Sequence, residues 1–251
     1  MDNEQKKHLL IGLTGFAGHG KSTIANMFKI YGFSEYSLAD PLKRGCMEIF
    51  GLTEEQVFED GKKIILDQFW NVTPREILQK VGTELFRNKL HEAIPDMNLG
   101  EFNILWIRMM ERYIEEERKK KPSTRIIVSD VRNIDEAKAI KKLGGYIIRV
   151  HNPRVKMNEK FRSHVSEQMI NKIRFEGLIV NDGNLIDLFK DIDYFVNSLK
   201  DGPTDLVMNY EDYCNPDTKG IVMKMSKNPI NNIIAGIIKS DFEKNQESIE
   251  K

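Results

Sequence analysis

The sequence predicts an α/β protein with a doubly wound, five-stranded parallel sheet and helices on both faces. The apolar run Leu9-Leu10-Ile11-Gly12-Leu13 leads through a glycine-rich turn into a helix start at Thr23-Ile24-Ala25-Asn26-Met27-Phe28. Further short apolar runs recur along the chain, separated by segments of helical period. One of them, Arg125–Asp130, is a buried-strand pattern ending in an acid.

The first strand-turn-helix unit spans about 8–31. Phe33–Ala39 alternates well enough for a second strand, ending at Asp40-Pro41, and Leu42–Phe50 follows as a helix stopped near Gly51. Thr53 and Gln56 form a capping box, because a threonine N-cap and a glutamine three residues on satisfy each other's backbone donors. Phe58 to Asn71 lacks a steady period and reads as an excursion outside the sheet. Thr73-Pro74-Arg75-Glu76 is a second strong helix start, for a helix running to about Leu90. Another helix extends from about Phe102 to Lys120 and closes on a basic run suited to a solvated C-terminus.

Arg125–Asp130 is the third strand, Ile134–Leu143 a short helix, and Tyr146–Val150 the fourth strand. A polar loop over 151–163 and a helix near 165–174 lead to Gly177–Asn181, the fifth strand, and then to helix Leu185–Leu199. Asp201-Gly202-Pro203 marks a boundary. The expected organisation is a core over 1–200, with a helical region at about 51–120 and a lid at about 151–166, and an appendage over 201–251.

The chain of 251 residues is long enough to bury a substantial core. Its 38 basic and 38 acidic residues balance, so nothing in its net charge points to direct nucleic-acid binding. Cys46 and Cys214 form neither a metal-ligand pattern nor a disulfide framework and read as reduced thiols. The polar start Met1–Lys7 does not resemble a signal peptide, and no run approaches a membrane span, so the expected location is the cytoplasm.

Gly15-Phe16-Ala17-Gly18-His19-Gly20-Lys21-Ser22 matches G-x-x-x-x-G-K-[ST], the phosphate-binding loop, and sits between strand and helix as that loop requires. Glycines let the backbone wrap an oxyanion, and the N–H groups of the loop and of the helix start then face the phosphates. Gly15, Ala17, Gly18, His19, Gly20, Lys21, Ser22 and Thr23 are therefore the expected ATP-binding set, with Lys21 on the β/γ-phosphates and Ser22 on Mg²⁺. No N-K-x-D guanine signature follows the late strand, which argues against a GTPase.

From Leu9 to Leu199 the chain resembles the deoxynucleoside monophosphate kinases of large tailed bacteriophages and some other viruses. The resemblance rests on the phosphate loop, Leu38-Ala39-Asp40-Pro41-Leu42-Lys43, Arg75 with Gln79–Leu85, Trp106-Ile107-Arg108 and Val128-Ser129-Asp130-Val131-Arg132. It continues through His164-Val165-Ser166-Glu167 and Ile179-Val180-Asn181-Asp182-Gly183. It implies a P-loop kinase fold, ATP:(d)NMP phosphotransfer, Mg²⁺, a mobile lid, frequently a dimer, and a host-cytoplasmic setting for a viral protein. The chain departs from that family in carrying Ala17 and His19 where a basic pair is usual, and in a shorter 51–72 excursion.

Phosphoryl transfer needs positioning and an electrostatic clamp more than covalent chemistry. Asp130, ending the strand expected beside the first, suits the Mg²⁺ water shell; its alternative is to cap the next helix. Asp40 suits the acceptor's sugar or a pocket arginine, or else caps its helix, and Lys43 accompanies it in the same motif. Arg75, Gln79, Gly82 and Thr83 recur at helical spacing: the arginine for phosphate, the glutamine for a base edge, the glycine for close approach or simply helix packing.

Trp106 offers a stacking face or core packing, and Arg108 a pocket cation or a solvated one. Arg132 is expected to bridge both substrates' phosphates, against a salt bridge to a helix acid. Arg154, Lys156, Lys160 and Arg162 make the 151–164 loop a candidate lid with Arg162 catalytic, against a merely exposed loop, and His164 with Glu167 sits at its base. Asn181, Asp182 and Gly183 approach the donor adenine or form an ordinary turn. Competing functions are another small-molecule kinase, such as a dephospho-coenzyme A kinase-like protein, and a non-catalytic nucleotide switch.

Overall fold

The computed structural model describes residues 8–121, 123–155 and 169–198. The chain divides into two compact units, one spanning 1–35 with 123–251 and the other 36–122. The proposed lid from 156 onward and the 201–251 appendage lie outside the described residues.

In the first unit, β1 (Leu9–Thr14) leads to α1 (Lys21–Ile30) and β2 (Phe33–Tyr36). The chain returns as β3 (Arg125–Val131), α7 (Ile134–Lys142), β4 (Tyr146–His151), β5 (Gly177–Val180) and α8 (Leu185–Ser198), with the helices between β2 and β3 in the other unit. The five strands lie in the order β2-β3-β1-β4-β5. The β1–β3, β1–β4 and β4–β5 pairings are parallel. This is the α/β fold expected for a P-loop kinase.

Side chains on a strand alternate between faces, and β1 shows the consequence. Ile11 and Leu13 join Ile127, Ile148, Val150 and Ile179 in a buried cluster with Ile24, Ala25 and Phe28 of α1 and Leu188, Ile192 and Val196 of α8. Burying a side chain such as Phe28 completely is worth about 1.5–3 kcal/mol. Gly12 points the other way, where a Cβ would come within 2.8 Å of Ile140 on α7 and of Ile147. The sheet is therefore covered on both faces, and the glycine admits α7 closely.

The second strand is shorter than expected. It ends at Tyr36, residues 37–39 turn, and Asp40 is the first residue of α2 (Asp40–Phe50), with Pro41 in the first turn. In the helical unit, α3 (Glu54–Phe58) begins with the complete Thr53–Gln56 capping box. Leu52, Val57 and Ile77 bury themselves with Cys46, flanked by Leu42, Phe50 and Phe58. The excursion between α3 and α4 is a set of turns with an isolated antiparallel bridge from Asp67 to Val72.

Thr73 caps α4 (Pro74–Gln79) through the Glu76 N–H, but the helix does not continue to Leu90 in α form. Lys80–Arg87 is a π-helix, followed by the short α5 (Leu90–Ala93). Two close contacts fall within these widened turns. A Cβ at Gly82 would lie 2.5 Å from Leu42, and the Gly82 carbonyl accepts the Trp106 indole N–H at 3.2 Å. The last helix of this unit, α6, runs Leu105–Lys120 and carries Trp106 near its start. Among the described residues no helix is long and apolar enough to cross a membrane.

Candidate active site

The phosphate loop is shaped by its glycines. Gly15, Gly18 and Gly20 have φ of 146°, 79° and 94°, values that L side chains rarely adopt. At Gly15 a Cβ would run into the Val150 carbonyl oxygen, and at Gly20 into the Asn181 amide nitrogen. Gly20 is the N-cap of α1 and supplies no side-chain cap, and the first turn holds no acid. The α1 start thus has no side-chain cap and no first-turn acid to compete with an anion. Lys21 folds its ammonium over the loop, donating to the Gly15 and Phe16 carbonyls at 2.7 and 2.8 Å. Ser22 and Thr23 are exposed, and Ala17 and Gly18 line the outer side of the turn.

The loop is fastened to the ends of β4 and β5. His19 is 2% exposed. Its Nδ1 lies 3.2 Å from the Asn152 N–H and 3.4 Å from the Val150 carbonyl, accepting from the first or donating to the second according to tautomer, and its Nε2 is buried without a hydrogen-bond partner among the described residues. Its carbonyl accepts from the Asn181 side-chain amide at 3.1 Å, and the Asn181 N–H donates to the His151 carbonyl at 2.7 Å. The rings of His19 and His151 meet edge to face, 5.5 Å apart.

Arg149 is fully buried beside them. It donates to the Ile170 carbonyl and the Asn171 amide oxygen and stands over the Phe16 ring at 4.9 Å. Burial holds His19 below its ordinary range, with Lys21 and Arg149 adding repulsion and the Val150 carbonyl opposing them. Burial, then the neighbouring His19 and Arg149, push His151 down to about 4 against the weaker pull of Asp182. Both imidazoles are neutral at pH 7. Sequence reading took His19 only as a member of the loop, and it missed Asn152, His151 and Arg149. A charged residue between Ile148 and Val150 was the one available signal.

β1 and β3 pair regularly to Gly12–Val128 and next at Thr14–Val131, so β3 carries one extra residue at 129–130. Such a bulge re-aims a side chain, and here Asp130 lies at the strand end beside the start of the phosphate loop. The capping alternative for Asp130 is overturned. The N-cap of α7 is Asn133, in a reciprocal box with Glu136, which is 3% exposed. Glu136 also accepts from the Arg132 N–H at 2.8 Å. The Arg132 side chain is exposed and makes no ion pair among the described residues, so the salt-bridge alternative is absent there. The Ser22 hydroxyl and the Asp130 carboxylate are hard oxygen donors of the kind Mg²⁺ takes. Among the described residues no group of three or more acids, histidines or cysteines gathers into a metal cage.

In the helical unit, Asp40 and Lys43 pair at 3.4 Å across the first turn of α2, and the lysine stands 4.6 Å from the Phe58 ring centre. Arg75 is half-buried and Gln79 exposed, one turn apart on α4. Gly82 and Thr83 fall in the π-helix, the first buried and the second exposed, so the 3.6-residue spacing expected to align all four does not carry past Gln79. Trp106 is 8% exposed, donates its N–H to Gly82 and packs edge-on to Phe86. Its core-packing alternative describes it best. Arg108 pairs with Glu111 at 3.2 Å rather than being simply solvated. Asp182 is half-buried and Gly183 exposed in the turn after β5. Lys156, Lys160, Arg162, His164 and Glu167 lie outside the described residues.

Residues 51–192 match the family model described as "Deoxynucleotide monophosphate kinase". The chain is 35% identical over 191 residues to the Acanthamoeba polyphaga mimivirus protein named "Putative deoxynucleotide monophosphate kinase", covering 73% of this chain and 94% of that one. It is 27% identical over 204 residues to a dephospho-CoA kinase of Fusobacterium nucleatum subsp. nucleatum, covering 76% and 98%. A solved dephospho-CoA kinase from Campylobacter jejuni matches at 17% identity with a TM-score of 0.42, over 78% of this chain and 98% of that one.

Proposed function

The chain belongs to the deoxynucleotide monophosphate kinase family, and from that premise we propose that it transfers the γ-phosphate of ATP to a deoxynucleoside 5′-monophosphate. An oxygen of the acceptor phosphate attacks the γ-phosphorus, the bond from that phosphorus to the β–γ bridging oxygen breaks, and dNDP and ADP leave. The observation that carries the donor half is the phosphate loop, whose positive-φ glycines and uncapped α1 start leave N–H groups for an anion. Lys21, released from the Gly15 and Phe16 carbonyls, neutralises charge on the β/γ-phosphates as the bond breaks.

Ser22 and Asp130 would hold Mg²⁺, which would neutralise phosphate charge when bound. Arg132, with an exposed side chain unpaired by any described acid, steadies the transferring group, joined by Arg162 from the 151–166 lid. Asn181, Asp182 and Gly183 belong to the donor side, Asp182 and Gly183 at the adenine. On the acceptor side, Arg75 grips the phosphate and Gln79 reads the base edge, with Asp40, Lys43, Gly82, Thr83 and Arg108 completing the set. Trp106 contributes by holding Gly82.

On this reading the enzyme works in the cytoplasm, that of a host cell for a viral protein, and needs neither membrane nor nucleic acid; the homodimer is the assembly that the family resemblance implies. Residues 1–200 form its core and 201–251 an appendage. The similarity to a dephospho-CoA kinase over 76% of the chain favours one second reading, phosphorylation of dephospho-coenzyme A. A coupled ADP-release assay over dNMPs, NMPs and dephospho-coenzyme A separates the two. Turnover with dNMPs supports the proposal, turnover with dephospho-coenzyme A alone supports the second reading, and ATP binding without acceptor-dependent turnover supports a switch.

A further inference from the structure

Asn181 follows β5 and touches the phosphate loop from behind. Its backbone N–H donates to the His151 carbonyl at 2.7 Å, which seats it at the end of the β4–β5 ladder. Its side-chain Nδ2 donates to the His19 carbonyl at 3.1 Å. The same Nδ2 occupies the space a Cβ on Gly20 would need. The side chain is thus set on two sides, by the strand that carries it and by the peptide joining His19 to Gly20.

That peptide is the key to its effect. A trans peptide unit is planar, with its C=O and N–H directed oppositely. Holding the His19 carbonyl toward Asn181 turns the Gly20 N–H the other way, toward the inside of the loop. Gly20 is also the N-cap of α1 and immediately precedes Lys21. One side-chain amide just past β5 therefore orients a phosphate donor and the lysine's point of departure together.

We propose that Asn181 is a positioning residue for the donor triphosphate, acting through the His19–Gly20 peptide of the phosphate loop and not on the adenine. The proposal rests on the reading of that loop as the donor site, and it gives Asn181 a different target from Asp182 and Gly183. A residue that reads adenine affects only ligands that have a base. A residue that sets the loop affects every ligand that has the phosphates.

Calorimetric titration of wild type and Asn181→Ala with Mg·ATP and with inorganic tripolyphosphate separates these roles. Losing one hydrogen bond that orders a binding loop weakens both ligands by the same factor, about tenfold, while the acceptor KM stays unchanged. Asn181→Ser, a smaller polar replacement, serves the same comparison if the alanine variant does not fold. Loss of ATP affinity with tripolyphosphate binding intact overturns the proposal in favour of base reading, and loss of neither overturns it outright. Wild-type protein that binds ATP but not tripolyphosphate also overturns it, because the loop then holds no phosphate by itself. Wild-type protein that binds neither ligand refutes the donor-site reading beneath it.

Discussion

Replacing His151 with phenylalanine should remove much of the protein's sensitivity to mild acid. The imidazole is forced neutral by burial and by His19 and Arg149, so its affinity for a proton falls from the ordinary 6.5 to about 4 on folding. Between those values the unfolded chain takes a proton that the folded one refuses. The stability tied to a neutral His151 is therefore complete above the unfolded value and drains away as pH falls toward the folded one.

Linkage between 6.5 and about 4 gives a loss of about 2 kcal/mol on going from pH 7 to pH 5, with a limit of about 3 kcal/mol in stronger acid. Phenylalanine keeps a ring edge-on to His19 but cannot titrate. Urea unfolding of both proteins at the two pH values isolates the effect, because carboxylates common to both cancel in the difference. The wild type should lose about 2 kcal/mol more than His151→Phe. Equal losses in the two proteins would show that this ring does not titrate across the window, and would refute the picture of a desolvated histidine pair behind the loop.

Lys21→Ala should lower phosphoryl transfer by about two orders of magnitude or more at saturating Mg·ATP, because a charge leaves the developing transition state; a change below about threefold would mean that the loop is not the donor site. Arg75→Ala should raise the acceptor KM while ATP affinity holds, and separate titrations of the two substrates would expose the error if ATP alone suffered. A fragment ending at Lys200 should fold and retain kinase activity, since every described strand and the phosphate loop precede that point; circular dichroism, sedimentation and turnover would reveal an unfolded or inactive fragment and so a misplaced boundary.

The parts of the fold that were legible in sequence are those written in neighbouring residues. The G-x-x-x-x-G-K-[ST] loop between an apolar run and a helix, and the caps at Thr53 and Thr73, are local patterns, and each appears where local chemistry puts it. The cap at Asn133 is equally local, with Glu136 three residues on, and Asp130 is a second acid-bearing candidate for the same helix start.

What sequence could not give depends on distant partners. Within the π-helix after Gln79, Gly82 meets Leu42 and Trp106, which lie 40 and 24 positions away. The fastening of His19 joins residues more than a hundred positions apart, at Asn152 and Asn181. Asp130 was expected at a strand end, yet the bulge that sets its register beside Thr14 shows only when the two strands are paired. Propensity has no access to such contacts, and those at His19 and Asp130 set where the phosphate loop and its neighbours stand.

The central claim is that this chain moves the terminal phosphate of ATP onto a deoxynucleoside monophosphate. Incubating the protein with Mg²⁺, ATP labelled in its γ-phosphate and each dNMP in turn, then separating the products, tests that claim at the bond that forms. The account predicts label in a dNDP, one dNDP for each ADP, and no transfer by Lys21→Ala. Label passing to dephospho-coenzyme A but to no dNMP, or remaining in ATP with every acceptor, would contradict it.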